Sequence, residues 1–375
     1  MTAPSPSLST QMLRRRPVIG APVAHGASDH LKRSIGTFQL TMFGVGATVG
    51  TGIFIVLQQA VPKAGPAVLI SFVIAGIAAG LSAICYAEMA SAVPVSGSTY
   101  SYAYTTMGEV VAMGVAACLL LEYGVSMSAT AVGWSGYLNK LLDNLFGFTL
   151  PHSLSAAPFG ETPGIVNLPA MLLIVMCALL LIRGASESAK VNTIMVILKL
   201  GVLALFVAVA ATAFTTDHFA GFWEKGFAGI TAGAATIFFT FIGLDAVSTA
   251  GDEVKDPQRT MPRAIIAALI AVTTIYVLVA FAGLGTQEAE AFGSEEQSEA
   301  GLSVILENVL GGSTWASTIL ALGAVISIFS VTLVVMYGQT RILFAMGRDG
   351  LLPSMFAKVN PKSMTPVNNL SLIHI

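Results

Sequence analysis

Eight long apolar runs divide the chain, and the polar residues gather almost wholly between them. A helix needs about 20 apolar residues to cross a bilayer's hydrocarbon core. By that length the chain predicts spans over roughly 37–62, 66–92, 109–138, 165–183, 188–214, 227–250, 262–286 and 314–346. Among the connections, 94–108 (PVSGSTYSYAYTTMG) predicts a loop or a short interfacial helix. The stretch 287–308, with Glu288, Glu290, Glu295, Glu296, Glu299 and Glu307, predicts an acidic loop facing solvent.

Two of the runs are interrupted at mid-depth. The first contains GVGATVGTGIF, residues 44–54, with four glycines and two threonines where a plain span would carry Leu, Ile or Val. A glycine costs roughly 1 kcal/mol relative to Ala inside a helix, so Gly46 and Gly50 predict a break. The sixth run, AATIFFTFIGLDAVSTAGDEVKDP, places Gly243 at its middle between Thr240 and Asp245. Small residues also let helices pack closely, which would explain the first run taken alone. A matching interruption five spans later instead points to an inverted-repeat carrier with its site at the two breaks. Non-helical backbone at membrane depth is tolerated where it lines a protein cavity. Freed N–H groups at a half-helix start suit a carboxylate, and freed carbonyls suit an ammonium group. A zwitterion fits both.

Composition sharpens the class. Charged residues are 10% of the 375 and hydrophobic ones 55%, with a mean hydropathy of +0.79, against about 25% charged in a soluble domain. Nothing in the near-neutral charge balance, −2 overall, suggests a nucleic-acid partner. Cys85, Cys118 and Cys177 all fall in apolar runs and read as small buried hydrophobes, without metal or disulfide spacing, and no cofactor is implied. The first ~33 residues lack the apolar core of a signal peptide. GWSG, 133–136, matches the G-x-S-G of intramembrane serine proteases. That serine needs a histidine from another span, and His25, His30, His152, His218 and His374 all lie outside the runs. An enzyme is not expected.

Lys and Arg set the orientation. With the N-terminus cytoplasmic, the inner segments hold Arg14, Arg15, Arg16, Lys32, Arg33, Arg183, Lys190, Lys255, Arg259, Arg263, Arg341, Arg348, Lys358 and Lys362. The outer loops hold Lys63, Lys140 and Lys225. Fourteen against three predicts the N-terminus inside. Lys199, within the fifth run, belongs to neither side. A cation at a helix centre costs about 3 kcal/mol by insertion scales, so Lys199 needs a structural or functional reason to be there unless its side chain snorkels to water. Glu122 and Asp245 are the intramembrane acids, open to pairing with Lys199 or a backbone end, to gating and proton movement, or to a structural role. Glu88, near the cytoplasmic end of the second run, reads as an interfacial or inside-gate residue. Asp252, Glu253, Lys255 and Asp256 read as a solvated helix end or an inside gate.

GVGATVGTGIF, AGPAVLISFVIAG, YAEMASAVPVSGSTYSYAY, LEYGVSMSATAVGWSGY, FFTFIGLDAVSTAGDEVKDPQRTMP and GQTRILFAMGRDGLLPSMFAKVNPKSMTP, in that order, resemble the amino acid–polyamine–organocation superfamily, nearest its bacterial cationic-amino-acid-transporter branch. The resemblance covers about residues 32–369. It implies an all-α polytopic membrane protein with the LeuT-type inverted-repeat fold, 8 of an expected 12 transmembrane helices being present. The repeats would be 34–214 and, in part, 227–346, after a disordered cytoplasmic 1–33 and before a cytoplasmic loop 347–369. It also implies a secondary carrier of L-amino acids in a bacterial inner membrane, with proton symport, exchange or sensing as the modes. Alternating access would rock spans one, two, six and seven against three, four and eight.

Carried over by position, the N–H groups of Thr51 and Gly52 would hold the substrate carboxylate. The carbonyls of Thr48, Phe239, Thr240 and Ile242 would hold its amino group, with Phe239 as an aromatic gate. Lys199 would stand where sodium-coupled relatives bind their ion and carry the proton. Val335 would face the substrate side chain, where Val favours a small neutral amino acid and the branch name favours arginine or lysine. The last six residues, LSLIHI (370–375), are unlike the family and resemble a translated sequencing-library adapter, so they are expected to be a non-native tail.

Overall fold

The computed structural model describes residues 14–15, 31, 33–156, 164–293 and 301–374. The sequence readings at Arg16, Lys32, Glu295, Glu296 and Glu299 lie outside the described residues, as does most of the N-terminal segment. The chain is a bundle of helices: α1 (Thr37–Thr48), α2 (Thr51–Ala64), α3 (Val68–Ala92), α4 (Ser98–Thr106), α5 (Glu109–Phe146), α6 (Leu168–Arg183), α7 (Ala185–Ala210), α8 (Gly226–Phe238), α9 (Pro257–Thr286), α10 (Gly301–Val309) and α11 (Trp315–Arg348). A 3-10 stretch, Leu244–Glu253, continues the line of α8. Among the described residues the sole β pairing is an isolated bridge between Ile35 and Val254.

Among the described residues, six helical stretches are long and apolar enough to cross a membrane: Val56–Ala92, Glu109–Phe146, Ser188–Ala213, Gly226–Glu253, Pro257–Thr286 and Trp315–Arg348. Leu168–Arg183 is apolar but shorter. Residues 37–62, expected as one run, form two helices of 12 and 14 residues. Large apolar side chains such as Ile77, Leu81 and Leu121 point outward, as lipid-facing positions do. Lipid tails compete for apolar surface, so close packing at small residues holds such helices together. Gly44, for example, brings α1 so near α9 that a Cβ there would sit 2.8 Å from that of Ala268. α9 packs on α1 and on α3, and α3 on α8, while α5, α6 and α11 form a second group. α7 touches both α1 and α11.

Of the two connections, 94–108 takes the short-helix alternative and 287–308 differs from its reading. Residues 98–106 form a helix with Tyr100, Tyr102 and Tyr104 buried. Ser101 Oγ donates to Ser96 O at 2.7 Å, and Ser248 Oγ to Ser98 Oγ at 2.8 Å. Within 287–308, the part expected as an acidic loop contains α10, which buries Leu302, Ile305 and Leu306. That i, i+3, i+4 spacing forms one apolar helix face.

Candidate functional site at two helix breaks

The first break lies at Val49 and Gly50, between α1 and α2. A helix end leaves its last carbonyls without intrahelical donors, and α7 and α11 supply them here. Lys199 Nζ, fully buried, donates to Gly46 O at 3.0 Å and Val49 O at 2.5 Å, with Ser330 Oγ at 3.5 Å. Ser327 Oγ donates to Val49 O at 3.0 Å. Asn192 Nδ2 donates to Met42 O at 3.1 Å while its Oδ1 accepts from Ser330 Oγ at 2.7 Å. An ammonium at a helix C-terminus faces the negative end of the macrodipole. Of the alternatives open for Lys199, pairing with Glu122 or Asp245 is not what the structure has: backbone carbonyls hold the lysine, and Asp245 is bonded to Tyr123.

Gly46 is also corrected as a break residue. It lies inside α1, and its missing side chain admits the Asn192 amide, which would lie 2.7 Å from a Cβ. At Gly50 the chain restarts, with no side chain capping α2. The N–H groups of Thr51 and Gly52, in the first turn of α2, thus have no intrahelical acceptor.

The second break follows α8. Residues 239–241 make one 3-10 turn, Ile242 is extended, and Gly243 takes φ +105°. Only glycine adopts that backbone without strain. A Cβ there would also lie 2.8 Å from Ala47 O, so the two breaks touch. Tyr276 of α9 joins them: its hydroxyl lies 2.9 Å from Thr48 O and 3.1 Å from Thr240 O. The sequence reading missed Tyr276. The available signal was a tyrosine deep in an apolar run, since a buried phenol needs a partner.

The breaks open on a cavity of about 490 Å³. Of the residues expected at a site, Thr48, Gly52, Phe239, Thr240, Ile242, Gly243, Val335 and Glu122 line it; Gly46, Gly50, Thr51, Lys199 and Asp245 do not. Phe239, at the cavity wall, is 70% exposed. Val335, also lining the cavity, is buried. Asp245 accepts from Tyr123 OH at 2.7 Å. With Glu122 and Tyr86 it lines a smaller cavity of about 210 Å³ on the far side of the break.

The charged end of the second broken span differs from its solvated reading. Glu253 is completely buried, accepting from Arg341 Nη2 at 2.6 Å, Arg341 Nε at 3.1 Å and Tyr337 OH at 2.5 Å. Arg341, counted as an inner-surface cation, is inside the protein at 2% exposure. Removing one member of such a pair strands the other and costs about 3–5 kcal/mol. Beside it Asp252 meets Arg348 at 2.9 Å at a more exposed position. Lys255 N–H donates to Ile35 O, Asp256 caps α9 in a left-handed conformation, and Glu88 is exposed.

Residues 35–375 match the family described as amino acid permease. The branched-chain amino acid permease BcaP of Bacillus subtilis is 42% identical over 358 residues, covering 95% of this chain and 76% of that protein. The methylthioribose transporter of the same organism is 39% identical over 94% of this chain and 75% of its own length. The vacuolar cationic amino acid transporter 2 of Arabidopsis thaliana is 36% identical, covering 95% of this chain and 56% of that protein.

Proposed function

This chain belongs to the amino acid permease family, and on that premise we propose that it carries a zwitterionic amino acid through a bilayer by alternating access. The observation that carries this reading is the cavity where two half-helix breaks meet, one presenting free N–H groups and both presenting carbonyls. The substrate carboxylate binds the N–H groups of Thr51 and Gly52. Its ammonium group binds among the carbonyls of Thr48, Phe239, Thr240 and Ile242, beside the Tyr276 hydroxyl. Phe239 swings over the ligand from its exposed position.

The side chain meets Val335 and the apolar wall. Kinship with a branched-chain amino acid permease supports an aliphatic neutral substrate. Glu122 in the cavity, together with the cationic amino acid transporters among the relatives, supports arginine or lysine as the second reading. Lys199 carries the coupled proton, making the cycle symport. The 1–33 segment and the N-terminal ends of α1 and α5 face the cytoplasm of a bacterial inner membrane, in keeping with the Lys and Arg asymmetry.

Uptake of labelled L-leucine into proteoliposomes, with and without an inward proton gradient, tests the reading. Gradient-stimulated uptake competed by isoleucine and not by arginine supports the neutral, proton-coupled form. Stronger competition by arginine selects the cationic one. No uptake of either overturns the carrier reading for this chain.

A further inference from the structure

At the end of the bundle away from the large cavity, the inner halves of both broken spans are tied together and then tied to α11. Ser34 and Ile35 N–H donate to Glu253 O at 2.8 and 3.1 Å, and Lys255 N–H returns to Ile35 O at 2.9 Å. The chain entering α1 therefore moves with the end of the 3-10 stretch Leu244–Glu253. Two adjacent acids then reach α11, and they differ in kind. Glu253 has Arg341 and Tyr337 as donors, Arg341 Nη1 is taken by Thr340 Oγ1 at 2.9 Å, and the pair is 0% and 2% exposed. Asp252 holds Arg348 through Nη1 alone, at 17% and 15% exposure, and also accepts Ser96 N–H at 3.1 Å. Arg348 Nε and Nη2 are buried without a hydrogen-bond partner.

We infer that Asp252 and Arg348 form the gate that parts when this face opens, while Glu253 and Arg341 form the pivot that stays closed. The inference rests on the alternating-access reading above. Opening exposes a contact to water, so the contact that parts must be one that water can replace. Separating Glu253 from Arg341 strands two buried charges that are otherwise fully bonded. Separating Asp252 from Arg348 frees a guanidinium that already lacks two partners, and water supplies them. Ser96, before α4, loses its acceptor in the same movement, so α4 is released together with the gate.

The test places a reporter cysteine in the large cavity, Ser126→Cys, with Cys85 and Cys118 changed to alanine. A membrane-impermeant maleimide is applied from each face, using spheroplasts and inverted vesicles. Arg348→Gln and Asp252→Asn are each expected to raise labelling from the N-terminal face roughly fivefold and to lower it from the other, a bias of about 1 kcal/mol. Tyr337→Phe trims the pivot without removing a charge and is expected to leave the ratio unchanged. The gate is overturned if Arg348→Gln leaves the ratio unchanged, or if Tyr337→Phe reproduces its shift. An equimolar mixture of the twenty common L-amino acids, applied to the reporter protein, separates the two readings. A ratio that responds to the mixture but not to Arg348→Gln overturns the gate alone. One that responds to neither overturns alternating access.

Discussion

Lys199 of α7 donates to the carbonyl oxygen of Gly46 on α1, 3.0 Å away across 153 residues of sequence. The same ammonium reaches Val49 O, so one side chain closes the broken end of α1. Any change in its protonation alters the donors available to that break, which joins the proposed proton site to the proposed substrate site through backbone.

Replacing Lys199 tests that link. Lys199→Ala leaves two buried carbonyls short of a donor, each worth about 1–3 kcal/mol. The expected outcome is a lower thermal midpoint in detergent and loss of gradient-driven uptake, with residual exchange of substrate. Gradient-driven uptake at the parent rate in the variant removes Lys199 from the coupling mechanism.

Tyr276→Phe removes a hydroxyl shared between Thr48 O and Thr240 O and keeps the ring against Phe72 and Phe241. Loss of a bridging hydrogen bond of about 1 kcal/mol predicts a roughly fivefold fall in kcat/KM with little change in expression. An unaltered kcat/KM means that the breaks hold their geometry without the bridge.

Gly243→Ala forces a side chain into a left-handed backbone and to within 2.8 Å of Ala47 O. The backbone alone costs about 1–2 kcal/mol, so uptake should fall sharply. Gly311→Ala is the control, since it too has positive φ but opens on free space. Equal loss in both variants shifts the cause from the break to backbone strain in general.

The buried pair predicts a double-mutant result. Glu253→Gln and Arg341→Met should each destabilise by about 3–5 kcal/mol, and the double variant by less than their sum. Unfolding midpoints followed by tryptophan fluorescence measure the coupling; strict additivity means that the two side chains do not act as a pair.

Much of the architecture was legible in the chain because it is local. A run of apolar residues long enough to cross a bilayer is a property of the run itself. Glycine at 243, between Thr240 and Asp245, marks a place where a helix can be interrupted. Those features, with the ordered motifs, carried the helical membrane class and the family. They did not separate a glycine that breaks a helix from one that admits a neighbour, and Gly46 proved to be the second kind.

What the sequence could not decide was which polar group meets which. Glu253 reads as part of a charged, soluble turn, and only the approach of α11 buries it against Arg341 and Tyr337. Tyr276 is one aromatic in an apolar helix until two carbonyls, 228 and 36 residues away, converge on its hydroxyl. Lys199 announced its need for partners, yet those partners are backbone oxygens, which every residue carries and no motif marks. In a bilayer the span lengths follow from hydropathy, which composition records. The satisfaction of buried polar atoms follows from helix packing, which only the folded chain determines.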